Sequence, residues 1–151
     1  MTKNTSATTP RPFPRSVLLA VIGLFFLAAI SFLVNYKVFL TDGPSMEPTY
    51  TEGSYLLGRR LYNDPKPGDV VFIIKNDRVY MKRVCFIAGN DISKEGYAGY
   101  WGSNIVPEGY VYVLGDNAEH SLDSRNEEFG LVAISDIWGK PLSQRENKNK
   151  A

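Results

Sequence analysis

The sequence predicts an all-β domain behind one transmembrane helix. Three observations lead there. The run Val17 to Val34 is uncharged over 18 residues. Beyond it, short stretches of β-branched and aromatic residues alternate with Gly, Pro, Asn and Asp, the punctuation of strands and turns. No heptad, internal repeat or long amphipathic helix competes with that pattern.

Only Gly23 and Ser31 interrupt the aliphatic and aromatic character of the first run. At 1.5 Å per residue it reaches about 27 Å, and flanking residues extend the anchor to positions 16–38, enough for a hydrocarbon core of roughly 30 Å. A cleaved leader has an apolar region of about 7 to 15 residues and a small-residue cleavage site. Here the run is longer, and Asn35, Tyr36, Lys37, Val38, Phe39 and Leu40 follow it, so an uncleaved anchor is expected. Lys3, Arg11 and Arg15 precede the helix without an acid and only Lys37 lies close behind. The positive-inside rule then keeps residues 1–15 as a cytoplasmic tail and sends the remainder across.

That remainder is one compact domain over residues 39–143, too short for two, with a polar tail at 144–151. Four of the 17 basic residues precede position 41, which leaves 13 against 16 acids beyond it. A net charge near −3 gives no electrostatic case for nucleic acid as a partner. The single cysteine, Cys85, excludes an intramolecular disulfide and sits in an apolar run where a buried thiol is the ordinary outcome. One Cys and one His make a zinc site improbable.

Strands are predicted at Tyr55 to Gly58, Val70 to Ile74, Arg78 to Ile87, Tyr110 to Leu114 and Leu131 to Ile134, with Ile137-Trp138 as a short continuation. Pro65-Lys66-Pro67-Gly68-Asp69 reads as a rigid turn and Asn76-Asp77 as a hairpin turn. The Gly-, Ser- and Tyr-rich stretch from Asp91 to Pro107 is expected to be a surface loop or small hairpin.

Chemistry is concentrated in Gly43-Pro44-Ser45-Met46-Glu47-Pro48-Thr49. Pro44 fixes its own φ and Pro48 restricts Glu47, so Ser45 lies in backbone with few alternatives, as a positioned nucleophile requires. An isolated Gly-Pro-Ser is also an ordinary turn. A reactive serine needs a base, and His120, the only histidine, sits in a polar Ala-Glu-His-Ser loop where exposure is the simpler reading. Lys82 is the stronger candidate. Period-two alternation puts Tyr80, Lys82, Val84 and Phe86 on one face and Val79, Met81, Arg83 and Cys85 on the other, so Lys82 shares its face with three large side chains. Burial there would lower its pKa from the ordinary value near 10.4 and leave an amine able to accept a proton. Lys82 at a sheet edge, snorkelling to water, fits the pattern equally.

The third constellation is Gly115-Asp116-Asn117 followed by Ser121-Leu122-Asp123-Ser124-Arg125. Asp123 and Arg125 are placed to pair and brace a loop, and Ser121 to hydrogen-bond a buried amine. An EF-hand is excluded, because counting from Asp116 puts Ala118 and His120 at the third and fifth positions.

With these residues the chain resembles the bacterial type I signal peptidases, membrane-anchored serine-lysine endopeptidases that remove signal peptides from exported proteins. The resemblance runs from the anchor through Lys140. It rests on Ser45-Met46-Glu47-Pro48-Thr49, Gly68-Asp69-Val70-Val71, Lys82-Arg83-Val84 and the stretch from Gly115-Asp116-Asn117 to Asp123-Ser124-Arg125. It implies a compact antiparallel β-sheet catalytic domain in which Ser45 is the nucleophile and Lys82 the general base. Ser121 would orient the lysine, and Asp123 with Arg125 would form a supporting salt bridge. The Ser45 N–H would supply one oxyanion donor.

Three departures stand out. The serine that some members carry two positions before the nucleophile is Gly43 here, which leaves the second oxyanion donor unassigned. The Gly-x-Pro-Gly-Asp that commonly follows the lysine motif is replaced by Phe86-Ile87-Ala88-Gly89-Asn90, expected to loosen a turn, and Ala118 stands where an arginine is frequent. Only 16 residues separate Asn90 from Pro107, no room for the accessory β-domain of larger members, so a minimal form is expected.

The implied substrates are signal-peptide-bearing preproteins, bound as an added strand near Ser45 with small side chains at the first and third positions before the cut. The implied setting is the cell inner membrane, with the lipid bilayer and the protein export machinery as further partners and no metal or other cofactor. Phe39, Leu40, Tyr50 and Tyr55 are candidates to dip into the lipid interface. Two other readings stay open: a peptidase dedicated to one precursor, of the pilin type, and a non-catalytic membrane protein that only binds precursors.

Overall fold

A computed structural model describes residues 14–60 and 64–143. Most of the expected N-terminal tail and all of 144–151 lie outside the described residues. The chain divides into two compact units, residues 1–34 and 35–151. In the first, helix α1 spans Arg15–Asn35, and none of its side chains is buried within the protein. A helix apolar all round, with no protein cover, is suited to lipid rather than water.

The second unit is an all-antiparallel sheet. Its strands are β1 (Tyr36–Leu40), β2 (Tyr55–Arg60), β3 (Val70–Lys75), β4 (Arg78–Ile87), β5 (Tyr110–Leu114), β6 (Val132–Ala133) and β7 (Ile137–Pro141), in the spatial order β1-β2-β7-β3-β4-β5-β6. The all-β expectation therefore holds. The helix stops at Asn35, and β1 begins where the apolar composition still reads as anchor. Tyr36, Val38 and Leu40 alternate there with Lys37 and Phe39, and the segment pairs with all five residues from Tyr55 to Arg59.

Val70 to Ile73 are all buried, because β3 lies inside the sheet with both faces covered, which explains its unbroken apolar run. The β3–β4 hairpin closes through Asn76 and Asp77 at φ 51° and 59°, the positive φ pair that matches the twist of a two-residue turn.

Strand β4 departs from simple alternation. Arg83 and Val84 face Leu114 and Val113, whereas Phe86 and Ile87 face Tyr112 and Val111, so Cys85 is an extra residue at a β-bulge. The bulge exchanges faces beyond it. Ile87, not Phe86, joins Val84 in the cluster built on Val71, Ile73, Val111 and Val113. Phe86 moves to the opposite side with Ile92, Val106, Tyr112 and Leu114. The expected grouping of Phe86 with Lys82 is corrected on that account, while Tyr80 and Val84 stay in register with it.

A third cluster joins Met46, Tyr50 and Val70. Nearby, Phe39 stacks on Phe72 with centroids 3.9 Å apart. Gly58 makes that stack possible: a Cβ there would lie 2.7 Å from the Phe39 ring and 2.9 Å from that of Phe72. Two of the residues proposed for lipid contact are thereby excluded from it, since Phe39 is buried in this stack and Tyr50 is buried with its hydroxyl donating to Ser143 O at 2.6 Å.

The same crowding sets an expectation for Gly58→Ala. A methyl group there presses on both rings, so the variant loses about 1–3 kcal/mol by overpacking, read as a lowered denaturation midpoint. An unchanged midpoint would show that the Phe39–Phe72 stack slides at no cost.

Candidate active site

The loop that carries Ser45 is closed at its base. Thr41 N donates to Ser54 O and Gly53 N to Thr41 O, both at 2.9 Å, while Thr41 Oγ1 donates to Thr51 O at 2.8 Å. Within it, Glu47 N bonds Pro44 O at 3.0 Å and Tyr50 N bonds Met46 O at 2.9 Å. The Glu47–Pro48 peptide bond is cis. Met46 points inward against Tyr50, Val70, Leu56 and Met81, anchoring the loop from below. Gly43 sits at φ +80°, a left-handed conformation that favours glycine. Its N–H donates to Glu52 Oε1 at 3.2 Å.

Ser45 is half-buried and lines a small cavity of about 80 Å³ together with Phe39, Thr41, Met46, Tyr80 and Met81. Two unpaired strand edges flank that cavity. Among the described residues β1 has β2 as its sole partner, and β4 pairs with β5 only from Arg83 onward, which leaves Val79 to Met81 without a strand on that side.

Lys82 follows directly. Its Cα partner across the sheet is Val71, and the residue is 3% exposed. Burial lowers its pKa from 10.5 to about 8; Asp123 pulls the value back up and Arg125 pushes it down. Among the described residues Lys82 has no salt bridge. The snorkelling alternative is thus removed, since the side chain is enclosed.

Asp123 and Arg125 form a two-pronged ion pair, Nε to Oδ1 at 2.8 Å and Nη2 to Oδ2 at 2.7 Å. The Asp123 carboxylate also accepts from Gly115 N at 2.9 Å. Burial alone would raise its pKa, but the hydrogen bonds from Arg125 and Gly115 outweigh it and hold the group below the ordinary carboxylate range. Arg125 further donates to Ala118 O at 3.1 Å, tying the loop back on itself. Ser121 Oγ is buried, and it lies near enough to the Asp123 carboxylate to help hold its pKa down.

Gly115 is where these pieces meet. A Cβ built there would sit 2.2 Å from Ser121 Oγ and 2.6 Å from Ser45 O, so the absent side chain is what lets the Ser121 and Ser45 segments approach. Asn117 N then donates to Ser45 O at 3.0 Å. Asp116, one residue on, binds Arg83 through Nε–Oδ1 at 2.8 Å and Nη2–Oδ2 at 2.6 Å, with both side chains almost fully buried. Arg83 also donates to Gly68 O at 2.8 Å. Its pKa is raised, first by the hydrogen bond to Asp116. This pair was not foreseen in the sequence; the available signal was an arginine inside a strand otherwise fit for burial, which needs a carboxylate partner. Pro48 is exposed beside Asp116 and Asn117. His120 is exposed, in a short 3₁₀ turn over Ala118–His120.

The turn after the bulge is closed, against the expectation that its substitutions loosen it. Asn90 Oδ1 accepts from Ile87 N at 3.0 Å and Asn90 N donates to Ile87 O at 3.1 Å, so the amide carbonyl does what a carboxylate would.

Taken together, a compact antiparallel sheet and one long apolar N-terminal helix match the fold of the type I signal peptidases. A profile of the family described as "Signal peptidase, peptidase S26" matches residues 15–100 and 93–143. The chain is 35% identical over 135 residues to the mitochondrial ATP-independent inner membrane protease subunit 1b of Arabidopsis thaliana, covering 80% of this chain and 79% of that protein. It is 33% identical over 123 residues to the mitochondrial inner membrane protease subunit 1 of Schizosaccharomyces pombe, covering 70% and 76%. To signal peptidase I of Bacillus licheniformis it is 30% identical over 158 residues, covering 83% and 82%. The chain belongs to the signal peptidase family S26. It is accordingly a serine-type, signal-peptide-cleaving endopeptidase and a single-pass membrane protein.

The lowered pKa of Lys82 is also a statement about stability. Between about 8 and 10.5 the unfolded chain holds a proton at Lys82 that the folded chain has lost. Stability therefore rises with pH across that window, and below it the burial costs the full amount, about 3 kcal/mol. Lys82→Met is expected to be more stable than the parent at pH 7, with the advantage shrinking by pH 9.5, as read from denaturation midpoints of the two proteins side by side. A constant difference between pH 7 and pH 9.5 would mean that the lysine titrates normally.

Proposed function

We propose that Ser45 and Lys82 form the catalytic dyad of this peptidase. The observation that carries the reading is a buried lysine, its pKa brought to about 8, on the strand that forms one wall of the Ser45 cavity. Neutral Lys82 takes the proton from Ser45 Oγ as the oxygen attacks the scissile carbonyl. The Ser45 N–H, which has no hydrogen bond among the described residues, faces the developing oxyanion as one donor. Lys82 then gives the proton to the leaving amine, an acyl-serine remains, and a water deprotonated by the same amine releases the signal peptide.

Ser121, buried beside Gly115, orients the Lys82 amine, and Asp123 with Arg125 holds that segment in place. The Arg83–Asp116 pair fixes the turn from which Asn117 grips Ser45 O. Gly43 contributes no hydroxyl, and its N–H is engaged by Glu52. Met46 and Pro48 shape the loop without taking part in bond making.

The substrate is an extended segment of a preprotein lying between the free edges of β1 and β4. Main-chain hydrogen bonds to both edges supply affinity, and a cavity of about 80 Å³ admits only small side chains beside Ser45. The charge bias before α1 orients residues 1–15 to the cytoplasm and the domain over 39–143 to the outer side of the inner membrane. Export machinery delivers the substrate there.

Contact with the bilayer keeps Leu40 and Tyr55 of the residues first expected and adds Val38 and Leu57. Val38, Leu40, Tyr55 and Leu57 are exposed and pair across β1 and β2, Val38 with Leu57 and Leu40 with Tyr55, so they share one face. Tyr36 follows Asn35 of the membrane helix without a spacer, which keeps this hairpin within a few residues of the lipid surface. A fluorophore at Tyr55, introduced as Tyr55→Trp in a background lacking other tryptophans, is expected to be quenched by lipid-borne quenchers. No quenching would remove the surface contact.

In a membrane-reconstituted cleavage assay, Ser45→Ala and Lys82→Met each lower turnover by a factor of about 10⁴ or more with precursor binding kept. The parent's kcat/KM rises with pH as Lys82 loses its proton near pH 8. Processing retained by Ser45→Ala would remove Ser45 as the nucleophile.

A further inference from the structure

We propose that Phe129, held by Lys75, is a positioning residue that sets the width of the cavity beside Ser45 through Tyr80. The inference rests on the reading of that cavity as the site for the substrate's small side chains, and it assigns the selectivity to residues outside the cavity itself.

Tyr80 is one of the residues that line the cavity. What backs it is Phe129, whose ring meets that of Tyr80 edge-on, with centroids 5.3 Å apart and planes at 86°. Phe129 is almost fully buried and belongs to the main core cluster with Val71, Ile73 and Val84. A ring so enclosed has one position, and it leaves Tyr80 little room to recede.

Phe129 comes from a loop rather than a strand, so its own position needs an explanation. The loop is pinned from two directions. Toward its N-terminal side, Phe129 N donates to Asn126 O at 3.2 Å and Asn126 N to Asp123 O at 2.9 Å, which connects it to the Asp123–Arg125 pair. From the β3–β4 hairpin, Lys75 Nζ donates to Phe129 O and lies over the Phe129 ring, 5.0 Å from its centroid. Lys75 pairs with Arg78 at the mouth of the same two-residue turn, two positions before Tyr80. The clasp therefore spans from the end of β3 to the loop and holds the backing ring against the strand it supports. One segment thus serves both neighbours of the cavity: Asp123 influences the Lys82 amine, and Phe129 limits Tyr80.

The consequence concerns selectivity, not bond making. With Phe129→Leu the backing ring is lost, Tyr80 recedes, and the cavity accepts a larger side chain. Two model precursors differing only in alanine or valine at the position before the cut provide the readout. The parent's preference for alanine, as the ratio of kcat/KM values, is expected to fall about tenfold in Phe129→Leu, which is what a fit to one or two methylene groups is worth. The gain comes from a lower KM for the valine precursor. The pH dependence set by Lys82 stays in place. Lys75→Met, which removes the clasp and leaves every core residue unaltered, shifts the ratio in the same direction by a smaller factor. In a Tyr80→Ala background, Phe129→Leu has no further effect on the ratio.

An unchanged ratio in whichever of the two variants keeps the parent's thermal midpoint, or an equal loss on both precursors, would overturn the proposal. So would an undiminished effect of Phe129→Leu once Tyr80 is gone. Failure of the site reading itself appears elsewhere, as cleavage that survives Ser45→Ala in the parent background.

Discussion

The burial of Lys82, which shares a face with Tyr80 and Val84 and pairs across the sheet with Val71, is the constraint from which most of this domain's layout follows. Among the described residues an ammonium in that position has no ion-pair partner to offset its lost hydration, so burial works directly on its protonation. The neighbouring charges are arranged not to undo this. Asp123 raises the lysine's pKa by less than burial lowers it; its carboxylate is paired with Arg125 and Gly115 N, and Arg125 itself opposes protonation of Lys82. An aspartate without its arginine would turn the lysine into an ordinary ion-pair partner and keep it charged.

A second buried pair does different work. Arg83 points to the face opposite Lys82 and meets Asp116 there in a two-pronged contact. Buried ion pairs seldom add much net stability, because desolvation consumes most of their attraction. Their value is geometric. Arg83 bridges Gly68 O and the Asp116 carboxylate, so the turn after β5 cannot shift against β4 without breaking both contacts. That turn carries Asn117, whose N–H holds Ser45 O. Two consecutive residues of one strand thus serve opposite faces, one with an uncompensated amine and the other with a fully compensated guanidinium.

Much of this arrangement could be read in the residues, and the exceptions have physical causes. The hairpin at Asn76-Asp77 and the strands at 78–87 and 110–114 were legible because turn formers and strand composition agree there. Strand β1 was not, because Tyr36 to Leu40 continues an apolar run and periodicity cannot mark where lipid ends and a sheet edge begins. The bulge at Cys85 was invisible for a related reason: one inserted residue leaves composition unchanged while reversing every side chain after it. Ser45, Lys82, Ser121, Asp123 and Arg125 were singled out from chemistry and motif order. The role of Gly115 as the point of close approach, and of Asp116 as the partner of Arg83, needed the third dimension.

The loop between Asn90 and Pro107 shows how little chain is needed to cover the second face of β4 and β5. Its short 3₁₀ turn over Ile92–Glu95 is started by Asp91, whose carboxylate accepts from Ser93 N at 3.0 Å, and a bridge joins Asp91 to Ile105. Between those points it delivers three large apolar groups. Ile92 is fully buried, and the rings of Tyr97 and Trp101 lie 5.5 and 6.4 Å from that of Tyr112. Aromatic side chains bury about 150–250 Å² each, so two rings and an isoleucine seal Phe86, Tyr112 and Leu114 with few residues. Trp101 Nε1 donates to Ile105 O at 3.0 Å, which satisfies the indole and shuts the loop on itself. A larger insertion at this point would enlarge the surface of the molecule, but the packing of β4 and β5 does not call for one.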